Sequence, residues 1–241
     1  MPNIKPLALD LCCGKGGWTN GLLAAGWDVI GVDIEDMGGY RGHLVLADVR
    51  TLDINLMFPA LKFDLVVASP PCQEFSISSQ PFKRSRERFN KDNPPDRSIW
   101  DACVKIASDL KAPLILENVQ GARKWMGPAK WKYGSWYFWG EMPALIPVGC
   151  PRKGFQESAK IPFGGSRDVA IHKIAITRNG LQRRKIPFPG EKEGARALPK
   201  ASMSARKLWA ATVAMIPLEL STWIGECFKP REAELLNTKR G

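Results

Sequence analysis

The sequence predicts an α/β domain on a doubly wound, mostly parallel sheet, with a small irregular basic subdomain attached. Three observations carry that prediction. Short runs rich in leucine, isoleucine and valine recur through the first 120 residues, and they are continuously apolar, as strands covered on both faces must be. The segments between them are of crossover length, and 241 residues suffice for one such domain with a large core plus an appendage.

In chain order, Leu7-Ala8-Leu9-Asp10-Leu11 reads as a buried strand, followed by a glycine-rich turn and a helix near Thr19–Ala25 that stops at Gly26. Val29–Asp33, Leu44–Asp48 and Leu65–Ser69 read as the second, third and fourth strands. A helix over Ile99–Leu110 leads into a fifth strand, Leu114–Glu117. Trp131–Trp139 (WKYGSWYFW) is aromatic and strand-like, and a last helix is expected over Ala210–Ile224. The domain plan is a catalytic unit over 1–150, a basic segment over 151–207 and a returning C-terminal helix within 208–241.

Charge divides the chain. Residues 1–120 hold 13 basic and 15 acidic side chains, whereas 121–241 hold 22 and 9, so the net charge of +11 belongs to the second half. A basic half beside a neutral one points to a polyanionic partner, most simply nucleic acid. Pro151–Lys207 alone carries 14 Lys/Arg and four acids, and Pro81–Arg97 reads as a basic loop after the fourth strand. No apolar stretch approaches the roughly 18 residues of a spanning helix, and the start does not read as a signal peptide, so a cytoplasmic location is expected. The six cysteines form no CxxC pair and there are only two histidines, so neither a metal site nor a disulfide framework is expected.

Chemistry concentrates at predicted strand ends. In open parallel sheets ligands sit beyond the carboxyl ends of the strands, and Asp33, Asp48 and Glu117 would line one such crevice. The first turn, Asp10-Leu11-Cys12-Cys13-Gly14-Lys15-Gly16-Gly17-Trp18, lets backbone approach a ligand closely. It fits neither the dinucleotide fingerprint nor a P-loop. Asp33 stands where a carboxylate can accept from two ribose hydroxyls, and Asp48 where it can accept from an adenine amino group. After the fourth strand, Ser69-Pro70-Pro71-Cys72-Gln73-Glu74-Phe75-Ser76 projects a cysteine at the rim, where a nucleophile would be wanted. The tryptophans at 125, 131, 136 and 139 read mainly as packing groups.

Taken together, the glycine-rich turn, the acids after strands two and three, PPCQxFS after strand four and ENV after strand five resemble the DNA (cytosine-5)-methyltransferase family through about residue 120. The resemblance implies a Rossmann-like sheet of the class I methyltransferase type, with S-adenosylmethionine as cofactor. The cofactor set it implies is Asp10, Cys12, Gly14, Gly16, Gly17, Trp18, Asp33, Ile34, Asp48, Val49 and Pro70. It also implies Cys72 as nucleophile toward carbon 6 of cytosine, Glu117 at ring nitrogen N3, and Pro71 and Gln73 beside them. The partner would be double-stranded DNA with the target base flipped out, met by a monomer. Contacts to that DNA are expected from Arg84, Arg86 and Arg88 in the loop after Cys72 and from Arg183, Arg184 and Lys185 in the basic segment.

Departures from the family pattern are specific. Cys12 stands where a phenylalanine is usual, with Trp18 as the compensating candidate, and the strand expected to supply pocket arginines has Trp131, Tyr133 and Ser135 at the matching positions. Arg123, Arg152 and Gln182-Arg183-Arg184 remain open as replacements. The same chemistry on tRNA and a non-catalytic nucleic-acid-binding homologue are the competing readings.

Overall fold

A computed structural model of the chain describes residues 5–73, 75, 94–144 and 215–230. The elements in order are β1 (Leu7–Leu11), α1 (Gly17–Ala24), β2 (Asp28–Asp33), β3 (His43–Leu46), α2 (Ile54–Met57), β4 (Leu65–Ala68), α3 (Ser98–Leu110), β5 (Leu114–Asn118), α4 (Arg123–Met126), β6 (Trp131–Tyr133), β7 (Trp136–Gly140) and α5 (Leu218–Phe228). The seven strands form one sheet in the order β3-β2-β1-β4-β5-β7-β6. The first five are parallel, and β7 enters antiparallel against β5, with Glu117 opposite Phe138 and Asn118 opposite Tyr137. The aromatic run predicted as one strand is thus a hairpin. Gly134, at φ +57, and Ser135 turn the chain between its arms.

Alternation along the strands feeds two cores. Leu9, Leu11, Val66, Ala68 and Leu116 pack with Trp100, Cys103 and Ile106 of α3, whereas Ala8, Leu65, Val67 and Ile115 pack with Leu22 of α1 and with Leu220 and Ile224 of α5. Both faces are therefore covered, which is why the runs are apolar at every position.

The C-terminal helix departs from its predicted span. Residues 215–217 are not helical and α5 begins at Leu218 and runs to Phe228, because Pro217 cannot occupy a helix interior: it has no N–H to donate and its ring crowds the preceding turn. At the N-terminal flank the same residue is well tolerated. α5 lies against α1 so closely that a Cβ on Gly21 would sit 2.0 Å from Ser221 Oγ, and the Trp27 indole N–H donates to the Gly225 carbonyl at 3.0 Å.

Gly31, in the middle of β2, answers to Tyr40: a side chain there would meet the tyrosine hydroxyl at 2.1 Å. An interior strand glycine marks such a close approach. Residues 81–93 of the predicted basic loop and the whole of Pro151–Lys207 lie outside the described residues.

Candidate active site

The carboxyl ends of β1, β2, β4 and β5 share one edge, and the predicted acids and cysteine gather there. After β1 the backbone turns through positive φ at Cys12 (+54), Gly14 (+52) and Gly16 (+77) before α1 begins at Gly17. Asp33, the last residue of β2, holds that turn: its Oδ2 accepts from the Gly14 N–H at 2.9 Å and its Oδ1 from the Glu35 N–H at 3.2 Å. Each carboxylate oxygen keeps a second lone pair, so ribose-type hydroxyls can still be accepted. Beside it Ile34 is 70% exposed, an apolar surface suited to one face of a base.

Beneath the turn, Asp10 is fully buried. Thr19 donates its hydroxyl to Asp10 Oδ2 at 2.7 Å, so Tyr40, 2.5 Å from the same hydroxyl, must be the donor in that pair. Burial raises the Asp10 carboxyl to about 7 against the pull of the Thr19 bond, and its Oδ1 has no partner. Burial likewise pushes the Tyr40 phenol and the Cys13 thiol well above their ordinary values. An unpartnered buried oxygen, a glycine turn with open space above Gly14 and a half-used carboxylate fit a nucleoside cofactor carrying a cationic group.

The target side is built on β4 and β5. Pro70 is buried and Pro71 exposed, and Cys72 is half-buried in a turn closed by the Phe75 N–H donating to the Cys72 carbonyl at 3.0 Å. Asn118 ties this turn to the neighbouring strand by donating from Nδ2 to the Pro70 carbonyl at 3.0 Å. Farther along, Gly121 abuts the Phe75 carbonyl so tightly that a Cβ would approach it to 1.9 Å. Glu117 is 9% exposed, and burial raises it to about 8, against a hydrogen bond from Ser69 that favours the ionised form. Burial, then the nearby Glu117 charge, raise the Cys72 thiol. Ser69 also accepts from the Trp18 indole N–H at 3.0 Å, so one hydroxyl joins the helix after the glycine turn to the buried acid.

Several expected cofactor contacts sit differently. Trp18, expected to compensate for the missing phenylalanine, is buried at the sheet surface, 6.0 Å from the Phe138 ring in an edge arrangement. Its bulk and apolar character drive the ring into the core, where Ser69 satisfies its single donor. Cys12 packs toward Cys103 of α3, and that contact raises its thiol. Val49 is core. Asp48 lies two residues beyond β3, fully engaged with Arg50, which lowers its carboxyl to about 2. Gly16 closes the turn and Gly17 opens α1, and Gln73 is exposed beside Cys72. Arg84, Arg86, Arg88, Arg183, Arg184 and Lys185 lie outside the described residues.

Thr19, Tyr40 and Ser69 were not singled out by sequence reasoning. Only Gly31 hinted at one of them, since a glycine within an otherwise bulky strand leaves room for a side chain from elsewhere.

Strand order 3-2-1-4-5-7-6, a glycine turn after β1 and acids at the strand ends define a class I methyltransferase fold. Within that class, residues 8–126 match the family described as C-5 cytosine-specific DNA methylase, whose members use S-adenosylmethionine. Solved structures similar to the chain include a protein described as a DNA modification methyltransferase encoded within an E. coli prophage (22% identity, 49% of this chain, 33% of that one, TM-score 0.37). DNMT2 of Spodoptera frugiperda (20%, 50% and 37%, TM-score 0.35) and Dnmt2 of S. pombe (21%, 50% and 36%, TM-score 0.34) are others. The chain thus spans about a third of the length of these structures. No curated protein matches it significantly. Among the described residues no helix is long and apolar enough to cross a membrane.

Proposed function

We propose that the chain methylates carbon 5 of cytosine in DNA, acting as a cytoplasmic monomer on a base flipped out of the duplex, through a covalent adduct with Cys72. The observation that carries this reading is the convergence of Cys72 and a protonated Glu117 at the ends of adjacent strands, locked together by Asn118.

S-adenosylmethionine, when bound by Asp33, Ile34 and the backbone of Gly14–Gly16, supplies an electrophilic methyl group. The protein residues supply the rest. Cys72 gives its proton to solvent water and its sulfur bonds to carbon 6 of the ring. Glu117, held neutral near pH 7 by burial, gives its proton to N3 as the ring electron pair moves toward carbon 5. After methylation, solvent water takes the carbon 5 proton, the C–H electron pair re-forms the carbon 5–carbon 6 double bond as the bond to sulfur breaks and Cys72 leaves as thiolate, and N3 returns its proton to Glu117. A cytosine within the stack cannot meet Cys72, which is why the base must leave the helix.

A duplex carrying 5-fluorocytosine tests the assignment, because fluorine cannot depart as a proton does. With S-adenosylmethionine present, the chain should be trapped as a covalent complex resolved by denaturing electrophoresis, and Cys72→Ala should form none. Equal trapping by the variant would exclude Cys72, and trapping on tRNA alone would move the substrate from DNA to RNA.

A further inference from the structure

We infer that Arg123, Lys124 and Lys132 form a phosphate-binding surface for the DNA strand that carries the target base, continuous with the Cys72 turn. The inference rests on the proposed function and assigns backbone contacts within the described sheet edge, apart from the basic segments at 81–97 and 151–207. From Val119 to Gly140 the chain carries four cations, Arg123, Lys124, Lys130 and Lys132, and no acid. All four are exposed, and among the described residues none takes part in an ion pair. By contrast Arg50, Arg97 and Lys105 elsewhere in the domain are each neutralised by an aspartate.

Three of these cations are held against aromatic rings. The Arg123 guanidinium lies 5.8 Å and the Lys132 ammonium 5.3 Å from the centroid of Tyr137, and the Lys124 ammonium lies 4.6 Å from that of Trp125. A ring attracts a cation without neutralising it, and it limits the rotamers that binding would otherwise have to freeze. Such side chains stay charged and partly preorganised for an anion.

Position decides which anion. Tyr137 pairs with Asn118 on one side and Lys132 on the other, so these groups sit at the catalytic edge of the sheet. Arg123 is two residues past Gly121, which touches the Phe75 carbonyl three residues from Cys72. A nucleotide whose base reaches Cys72 and Glu117 would carry its flanking phosphodiesters over this surface. Evenly repeated negative charge on a chain suits a row of cations better than any single small anion does.

The test is the salt dependence of affinity for a 30-base-pair duplex with a central cytosine, read by fluorescence anisotropy on the full chain. Each phosphate contact to a duplex contributes about 0.9 to the slope of log K against log salt. The triple variant Arg123→Gln, Lys124→Gln, Lys132→Gln should therefore flatten the slope by about two to three. A charge-matched control, Lys5→Gln, Lys62→Gln, Lys111→Gln, removes three cations from the opposite edge of the sheet and should leave the slope in place. Equal flattening by both variants, or none by the first, overturns the surface, as does a wild-type chain that does not bind the duplex. Covalent trapping at Cys72 keeps the two proposals apart: trapping with an unaffected slope removes only the surface, and a slope that depends on the three cations without trapping removes only the reaction.

Discussion

The two halves of the sheet edge use acids in opposite ways. On the β1–β3 side, Asp33 is an acceptor that organises backbone, and Asp48 is a surface carboxylate kept ionised by Arg50. On the β4–β5 side, Glu117 is an acid kept neutral by burial, and the cations from Arg123 to Lys132 have no carboxylate partner among the described residues. Residue type alone therefore does not set the role. Partners and solvent access turn the same carboxyl group into a hydrogen-bond acceptor for a cofactor or a proton donor for a base.

The largest break in this contrast is Glu117→Gln, which keeps the shape and removes the transferable proton. Turnover should fall by about 10²- to 10⁴-fold, the usual range for a positioned general acid, while calorimetric affinity for S-adenosylmethionine is retained. Because Cys72 titrates above Glu117, the wild-type rate should rise with pH as Cys72 ionises, level off near 8 where Glu117 loses its proton, and decline only once pH passes the raised Cys72 value. Stability follows the same acid. The folded value of Glu117 lies above its ordinary 4.5, so its contribution is complete below that value and is lost as pH rises toward and through about 8. Asp10, raised from 3.8 to about 7, adds to this trend. Chemical denaturation should show wild-type stability falling between pH 5 and 8, and a shallower fall for Glu117→Gln.

Next in size is Asp33→Asn on the other half. It removes a charged acceptor from the cofactor and loosens the Gly14 bond, so S-adenosylmethionine binding should weaken by about 1.5–3 kcal/mol, as for hydrogen bonds involving a charged group. The break in the rate profile near 8 should stay where Glu117 puts it. Movement of that break would show that the two halves are not independent.

Ser69→Ala addresses a link between them. Loss of the hydroxyl removes a bond that favours ionised Glu117, so the acid should titrate higher and the break in the profile near 8 should shift upward. The freed Trp18 indole would report the same change through its fluorescence. The smallest effect is expected from Asp48→Asn, because that carboxylate is occupied by Arg50: cofactor affinity should change less than in Asp33→Asn, as measured in the same titration.

What the sequence made legible follows from distance along the chain. β1, β2, β4 and β5 are continuous apolar runs, and the acids that end β2 and β5 carry their own position with them. The hairpin within the aromatic run was not separable from one strand, since both arms are equally apolar and only Gly134-Ser135 divides them. The same holds for Trp18, whose burial depends on Phe138, 120 residues later, and for Thr19 and Ser69, which are ordinary polar residues until the fold brings Asp10 and Glu117 to them. Asp48 looked like a cofactor acid because the competing cation lies only two residues on, within a turn whose shape the pattern does not reveal.

The closeness of α5 to α1 has a consequence for how the protein comes to exist. Gly17 and Gly21 of α1 lie against Ile216 and Ser221, and the Lys229 ammonium donates to the Ala25 carbonyl, 204 residues earlier. The helix that begins at the glycine turn therefore gains its outer wall from residues made long after it, the Ala25–Lys229 contact spanning 204 positions. On the ribosome, the first strands would emerge and wait, with Leu22 and Trp27 uncovered, until the distant helix arrived. The glycine turn would then set only after residue 216 had emerged, and a nascent chain halted before it would present the turn without its backing.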